Sequence, residues 1–157
     1  MIGIYFPISG GKFALVDRDL YEEVIQYKWQ SSNGYVNRHL DNNKDKESLH
    51  QFVIFKAIEY YIGSIDHKNT DRADCRRENL RVGTQSQNVA NSKPKMGRYK
   101  GVRKYSTNCF RSRIMVGGRE INLGSYYSKA EAADTYDNAA IVFFGEFANL
   151  NCSWLNQ

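Results

Sequence analysis

Residues 65–88 read IDHKNTDRADCRRENLRVGTQSQN, and the organisation of the chain follows from that stretch. Ser64 to Asp66 predicts an extended segment, Lys68 to Arg77 a polar loop, and Leu80-Arg81-Val82 a returning strand. Thr84 and Gln87 have the spacing of a capping box, in which each side chain satisfies the other residue's free amide. They open a short helix expected to run to about Asn91. Asp66 and His67 stand at the end of the first strand, Asn79 just before the second, and Asn88 in the first turns of the helix. A hairpin packed on that helix could bring Asp66, His67 and Asn88 to one spot. Neighbours in a straight strand face opposite sides, so this convergence requires an irregular strand end or loop.

These residue types suit hydrolysis of a phosphodiester. The carboxylate of Asp66 and the amide oxygen of Asn88 are hard ligands, suited to one Mg²⁺ or Mn²⁺ with water and phosphate oxygens in the remaining positions. Such an ion neutralises charge at the phosphate and stabilises the leaving oxygen. His67 titrates near neutrality and can take a proton from an attacking water. The bland alternatives are a surface histidine, a turn carboxylate and a solvent-facing amide. Each suffices for one residue, and all the spacings together weigh against them.

Outward toward the N-terminus, Gly3 to Ile8 and Lys12 to Val16 predict two strands around the Gly10-Gly11 turn. Asp17 and Asp19 are candidate caps for a short helix over Leu20 to Tyr27. Asn33-Gly34 marks a turn before a strand from Tyr35 to Leu40. Ser48 and Gln51 form another capping-box pattern, with a helix expected to about Tyr61 and a stop at Gly63. His50 falls in its first turn, where packing or a phosphate contact is as reasonable as catalysis. His39 is read only as a strand or loop residue.

Toward the C-terminus, 92–97 is polar, holds one of the two prolines and ends in Gly97, so it reads as a linker between a domain over 1–91 and another over 98–157. Three strands are expected at Tyr99 to Lys104, Cys109 to Val116 and Glu120 to Leu123, the last two joined at Gly117-Gly118. Ser128 and Glu131 then open a helix whose Ala132, Ala133, Tyr136, Ala139, Ala140, Phe143 and Phe144 recur at helical spacing, with Gly145 as the stop. In the middle strand Phe110, Ser112 and Ile114 alternate with Arg111, Arg113 and Met115, giving a helix-facing side and a basic side.

The formal net charge is +5 over 157 residues, 41% of them hydrophobic, enough for packed cores. Arg98 to Arg119 contains seven basic residues and no acidic one, a candidate polyanion surface. Cys75, Cys109 and Cys152 form no CxxC pair, so neither a zinc knuckle nor a disulfide framework is expected. No secretory signal or membrane-spanning run is visible, and a cytoplasmic protein is expected.

The set of DH (66–67), RRENLR (76–81), TQSQN (84–88) and an upstream LH (49–50) resembles the HNH, or ββα-metal, endonucleases, especially their phage and intron-encoded homing branch. KFALVD (12–17), KW (28–29) and NGY (33–35) resemble the N-terminal extension of such proteins. The resemblance implies Asp66 and Asn88 as metal ligands, His67 as general base, and Asn79 as the residue whose side chain holds the loop that positions His67. His50 matches a histidine of less clear role. YKGVR (99–103), LG (123–124), AEAADTYDNAA (130–140) and FANLN (147–151) resemble the APETALA-two/ethylene-response-factor DNA-binding domain. This second likeness implies a three-stranded antiparallel sheet packed on one helix and lying in the major groove of double-stranded DNA. Its contact positions fall on Lys100, Arg103, Tyr105, Arg113, Met115, Glu120, Asn122 and Tyr136, to which the basic pattern adds Arg111 and Arg119. Lys100, Arg113, Met115, Glu120 and Asn122 depart from the plant pattern, so its GC-rich target is not carried over.

The expectation is therefore an α+β chain, with a ββα-metal nuclease domain followed by a DNA-anchoring sheet domain. It would act as a monomeric, phage- or virus-borne nickase or homing endonuclease. A DNA-binding regulator with a decayed nuclease site and a phage interaction protein are the rival readings.

Overall fold

A computed structural model describes residues 2–40 and 44–152. It divides into two compact units, Met1–Gly83 and Thr84–Gln157. Residues 153–157, the end of the expected second domain, lie outside the described residues. No helix among those described is long and apolar enough to cross a membrane.

The first unit opens with an antiparallel hairpin, β1 (Gly3–Ile8) and β2 (Lys12–Asp17). Its inward residues Phe6, Ala14 and Val16 are buried, as alternation along a half-buried strand requires. The helix expected from Leu20 to Tyr27 is one turn of 3₁₀ helix at Arg18–Leu20 and a short α1 (Tyr21–Val24). Neither Asp17 nor Asp19 caps it. Their carboxylates instead take Arg77: Asp17 accepts its backbone N–H at 2.9 Å, and Asp19 its guanidinium at 2.9 Å. A long-range cation has outcompeted the local turn.

A three-stranded sheet follows, β3 (Gln30–Ser32), β4 (Tyr35–His39) and β5 (Lys46–Ser48), with β4 in the middle. Polar β3 and β5 carry no hydrophobic alternation and were not foreseen. Gln51 accepts the Ser48 N–H at 3.2 Å at the start of α2 (Leu49–Ile58). That helix ends earlier than expected because Glu59, at φ 55°, turns the chain before Gly63. β6 (Ser64–His67) and β7 (Leu80–Gly83) pair antiparallel, with Asp66 opposite Arg81 and His67 opposite Leu80. Phe6, Val16, Trp29, Leu49, Val53 and Ile65 form one core beneath these elements.

The second unit begins with α3 (Gln85–Asn91), whose capping box is complete: Gln87 N–H donates to Thr84 Oγ1 at 3.2 Å, and Thr84 N–H to Gln87 Oε1 at 2.8 Å. The 92–97 stretch expected to be a linker therefore lies inside this unit. Next come β8 (Val102–Ser106), β9 (Cys109–Val116) and β10 (Arg119–Tyr126), with β9 central. β8 starts at Val102 rather than Tyr99. The Lys100 N–H is bonded to Asn151 Oδ1, and Gly101 turns at φ 72°, where any Cβ would collide with the Tyr136 ring. α4 (Lys129–Phe144) packs on one side of the sheet, burying Ala132, Ala133, Tyr136, Ala140 and Phe144, the small residues permitting close approach.

Candidate active site and nucleic-acid face

The loop between β6 and β7 is fixed chiefly by Asn79, which is almost fully buried. Its Oδ1 accepts the Asn69 N–H at 3.0 Å, its Nδ2 donates to the Asp74 carbonyl at 2.7 Å, and its own carbonyl accepts the Lys68 N–H at 2.8 Å. The loop also borders β2: Leu15 N–H donates to Ala73 O at 2.9 Å, and Cys75 N–H to Leu15 O at 2.8 Å. One amide side chain thus satisfies a donor and an acceptor that the turn leaves over, at the point where the chain leaves His67.

Asp66 and His67 are 3% and 4% exposed, so both act in a low-dielectric setting. The ladder is regular through His67, and the loop begins directly after it. Asp66 Oδ2 accepts from Arg81 Nε and from Arg81 Nη2, each at 2.8 Å. The His67 ring meets a different group. It lies edge-on to His50 with centroids 5.2 Å apart, stands 6.2 Å from Tyr35, and brings Nε2 to 3.8 Å from Cys75 Sγ. Arg72 stacks over Tyr35 at 4.2 Å from its centroid.

Burial lowers the pKa of His67, against the opposing pull of Asp66, Asp71 and Asp74. A neutral imidazole, able to accept a proton, is the result near neutral pH. Burial and the neighbouring His67 push His50 down to about 4, and His50 Nδ1 is buried without a hydrogen-bond partner. Burial and two nearby carboxylates push the Cys75 thiol up, so it stays protonated and inert. Arg81, Tyr35 and Cys75 escaped sequence reasoning. Only the cross-strand opposition of charges at positions 66 and 81 carried a signal, and it becomes readable once the register is known.

Asn88 stands on α3 of the second unit, half-buried, its N–H bonded to Thr84 O at 3.0 Å. Among the described residues no cluster of three or more His, Cys, Asp or Glu forms a metal cage. The carboxylate of Asp66 and the amide oxygen of Asn88 are each the kind of oxygen donor that a hard divalent ion takes.

In the second unit, strand register defines an open face opposite α4. Arg103 pairs with Arg111, Arg111 with Ser125, Arg113 with Asn122 and Met115 with Glu120. Ser112 and Ile114, which alternate with them, are buried. Arg111 stacks on Tyr105 at 3.5 Å from its centroid, and Arg113 is paired with Glu120 at 2.5 Å. The Asn122 side chain accepts the Gly124 N–H at 3.1 Å, steadying a bulge in β10.

Three of the expected contacts have other surroundings than the open face. Arg119 pairs with Val116, two residues before Ile121, so it stands on the helix-bearing side at the hairpin tip. Tyr136 is buried against Gly101 in the core. Lys100 donates its ammonium to the carbonyls of Ala90 and Asn149, and burial lowers its pKa to about 8.

A family model described as HNH endonuclease matches residues 63–90, which run from just before β6 into α3. Over 155 residues the chain is 32% identical to "Uncharacterized HNH endonuclease L560" of Acanthamoeba polyphaga mimivirus, covering 94% of this chain and 81% of that one. The chain belongs to the HNH endonuclease family. It is a nuclease, and nucleases of this family use a divalent metal ion.

Proposed function

We propose that the protein hydrolyses phosphodiester bonds of double-stranded DNA with one Mg²⁺ or Mn²⁺, nicking a preferred site, with the second unit as its anchor on the duplex. The observation that carries this reading is His67: a buried, neutral imidazole at the end of β6, held by a loop that closes on Asn79. His67 takes the proton of the attacking water, a contribution of roughly 10²–10⁴-fold for a placed general base. Asp66 and Asn88 hold the ion, which supplies charge neutralisation at the phosphate and stabilises the leaving oxygen. Arg81 fixes the Asp66 carboxylate through Oδ2. Asn79 supports the loop and touches no reacting atom. His50 packs against the base and, being neutral, does not oppose its protonation.

The likeness of 98–151 to the APETALA-two/ethylene-response-factor domain supports anchoring on the major groove. Arg103, Tyr105 and Arg111 are the leading contacts, with Arg113 and Asn122 beside them on the same face. Tethering raises the local concentration of DNA at the nuclease site. The relative is a virus protein, and the reading extends to a virus-borne nuclease of homing type, acting as a monomer in the cytoplasm of a host cell.

Supercoiled plasmid incubated with the protein should convert to open circle when Mg²⁺ or Mn²⁺ is added and remain intact with EDTA. Salt-dependent DNA binding without nicking under any divalent ion would identify a regulator instead.

A further inference from the structure

The C-terminal end of α3 is finished by residues far along the chain. A helix of seven residues is marginal in water by itself, and its last carbonyls have no partner within the helix. Here the Lys100 ammonium and the Asn149 backbone N–H (3.2 Å) both donate to Ala90 O, and Asn149 Nδ2 donates to Asn91 O at 3.0 Å. Ala90 and Asn91 are buried. Lys100 also donates to Asn149 O at 3.1 Å, so the two residues hold each other as well as the helix. Lys100 is fixed in turn. Asn151 Oδ1 accepts the Lys100 N–H at 2.6 Å and its Nδ2 donates to Lys100 O at 3.2 Å, while Asp137 of α4 accepts the Asn151 N–H at 2.8 Å. A cation at a helix C-terminus also complements the helix dipole.

The family model's match ends at residue 90, whose carbonyl is one of the two held. We propose that Lys100 and Asn149 form a clamp on α3 that positions Asn88, so that the second unit contributes to the chemical step as well as to DNA binding. This inference rests on the reading of Asn88 as a metal ligand. Asn88 lies three residues before the end of α3, within one turn of the clamped carbonyls. Releasing them lets that turn fray, and a displacement of about 1 Å at a catalytic group can cost around 10²-fold in rate. Lys100 sits where the related DNA-binding domain places a DNA contact, and the clamp gives it a different role.

The test compares full-length wild type, Lys100→Met, Asn149→Leu and a control, Ile121→Ala, which loosens the same core from β10 and removes none of the hydrogen bonds at the end of α3. The clamp predicts that Lys100→Met and Asn149→Leu leave DNA affinity and its salt slope unchanged. Cleavage of bound DNA should fall tenfold to a hundredfold, the Mg²⁺ midpoint should rise, and the Asn88 and Val89 amides should exchange at least tenfold faster. Ile121→Ala, at a comparable loss of Tm, should keep the wild-type metal midpoint. A salt slope reduced by about one in Lys100→Met, with cleavage of bound DNA intact, would make Lys100 a phosphate contact and overturn the clamp. Unchanged amide exchange, or an equal midpoint shift in Ile121→Ala, would overturn it too. Absence of cleavage by wild type would instead remove the nuclease reading, while the exchange rates would still decide whether α3 is clamped.

Discussion

The β6–β7 hairpin and the β8–β10 sheet solve opposite electrostatic problems with the same elements. In the hairpin, Asp66, His67 and Asp74 are buried, and the two carboxylates have assigned partners: Arg81 for Asp66, Arg76 for Asp74. In the sheet, Arg103 and Arg111 stand exposed with like charge beside like, an arrangement that repels itself and is relieved by a polyanion. A buried site fixes protonation states and geometry. An exposed basic face supplies attraction that salt can screen. Mutations should therefore act on stability and rate in the first region, and on affinity in the second.

The largest effect is expected at the buried pair. Asp66→Ala strands the Arg81 guanidinium and should cost about 3–5 kcal/mol, measured by urea unfolding. Adding Arg81→Met should recover most of that stability but none of the cleavage. Recovery of cleavage would show that Asp66 acts only through Arg81. Asn79→Ala removes two buried hydrogen bonds from the loop and should cost about 2–4 kcal/mol, by the ordinary penalty of roughly 1–3 kcal/mol for a buried group left unpaired. A Tm within a degree of wild type would mean that the loop is held elsewhere.

In the sheet, Arg111→Ala should weaken DNA binding and lower the salt slope by about one. Arg113→Ala should do less because Glu120 already offsets its charge, and Glu120→Gln should strengthen binding. Equal losses at 111 and 113 would show that the Arg113–Glu120 pair opens on DNA. A further effect is one of pH. His50 has a folded pKa of about 4, below the unfolded value of 6.5. The folded state thus binds fewer protons, so the contribution is complete above pH 6.5 and is lost as pH falls toward 4, up to about 3 kcal/mol. His50→Gln should flatten that acid limb in a pH series of urea melts, and an unaltered limb would place the sensitivity at other groups.

Much of this was legible in the sequence because it is local. The Thr84–Gln87 and Ser128–Glu131 capping boxes appear where the spacing put them, and the alternation in β9 gave the buried and open faces correctly. Misreadings came from long-range partners. Arg77 drew Asp17 and Asp19 away from capping, Asn151 delayed the start of β8, and the register of β10 moved Arg119 to the other side. Lys100 shows the limit most clearly: the sequence places it in a basic run, and nothing there signals the carbonyls that its ammonium holds. The DH pair and ENLR pointed to the nuclease motif, but Arg81 and the packing of His50 on His67 depend on pairing that spacing alone does not encode.

Single-turnover cleavage of a fully bound DNA duplex in Mg²⁺, wild type against His67→Ala at equal occupancy, tests the central claim most directly. The assignment of His67 as general base predicts a rate loss of roughly 10²–10⁴-fold with unchanged DNA affinity. A variant that cuts bound DNA at the wild-type rate would contradict it.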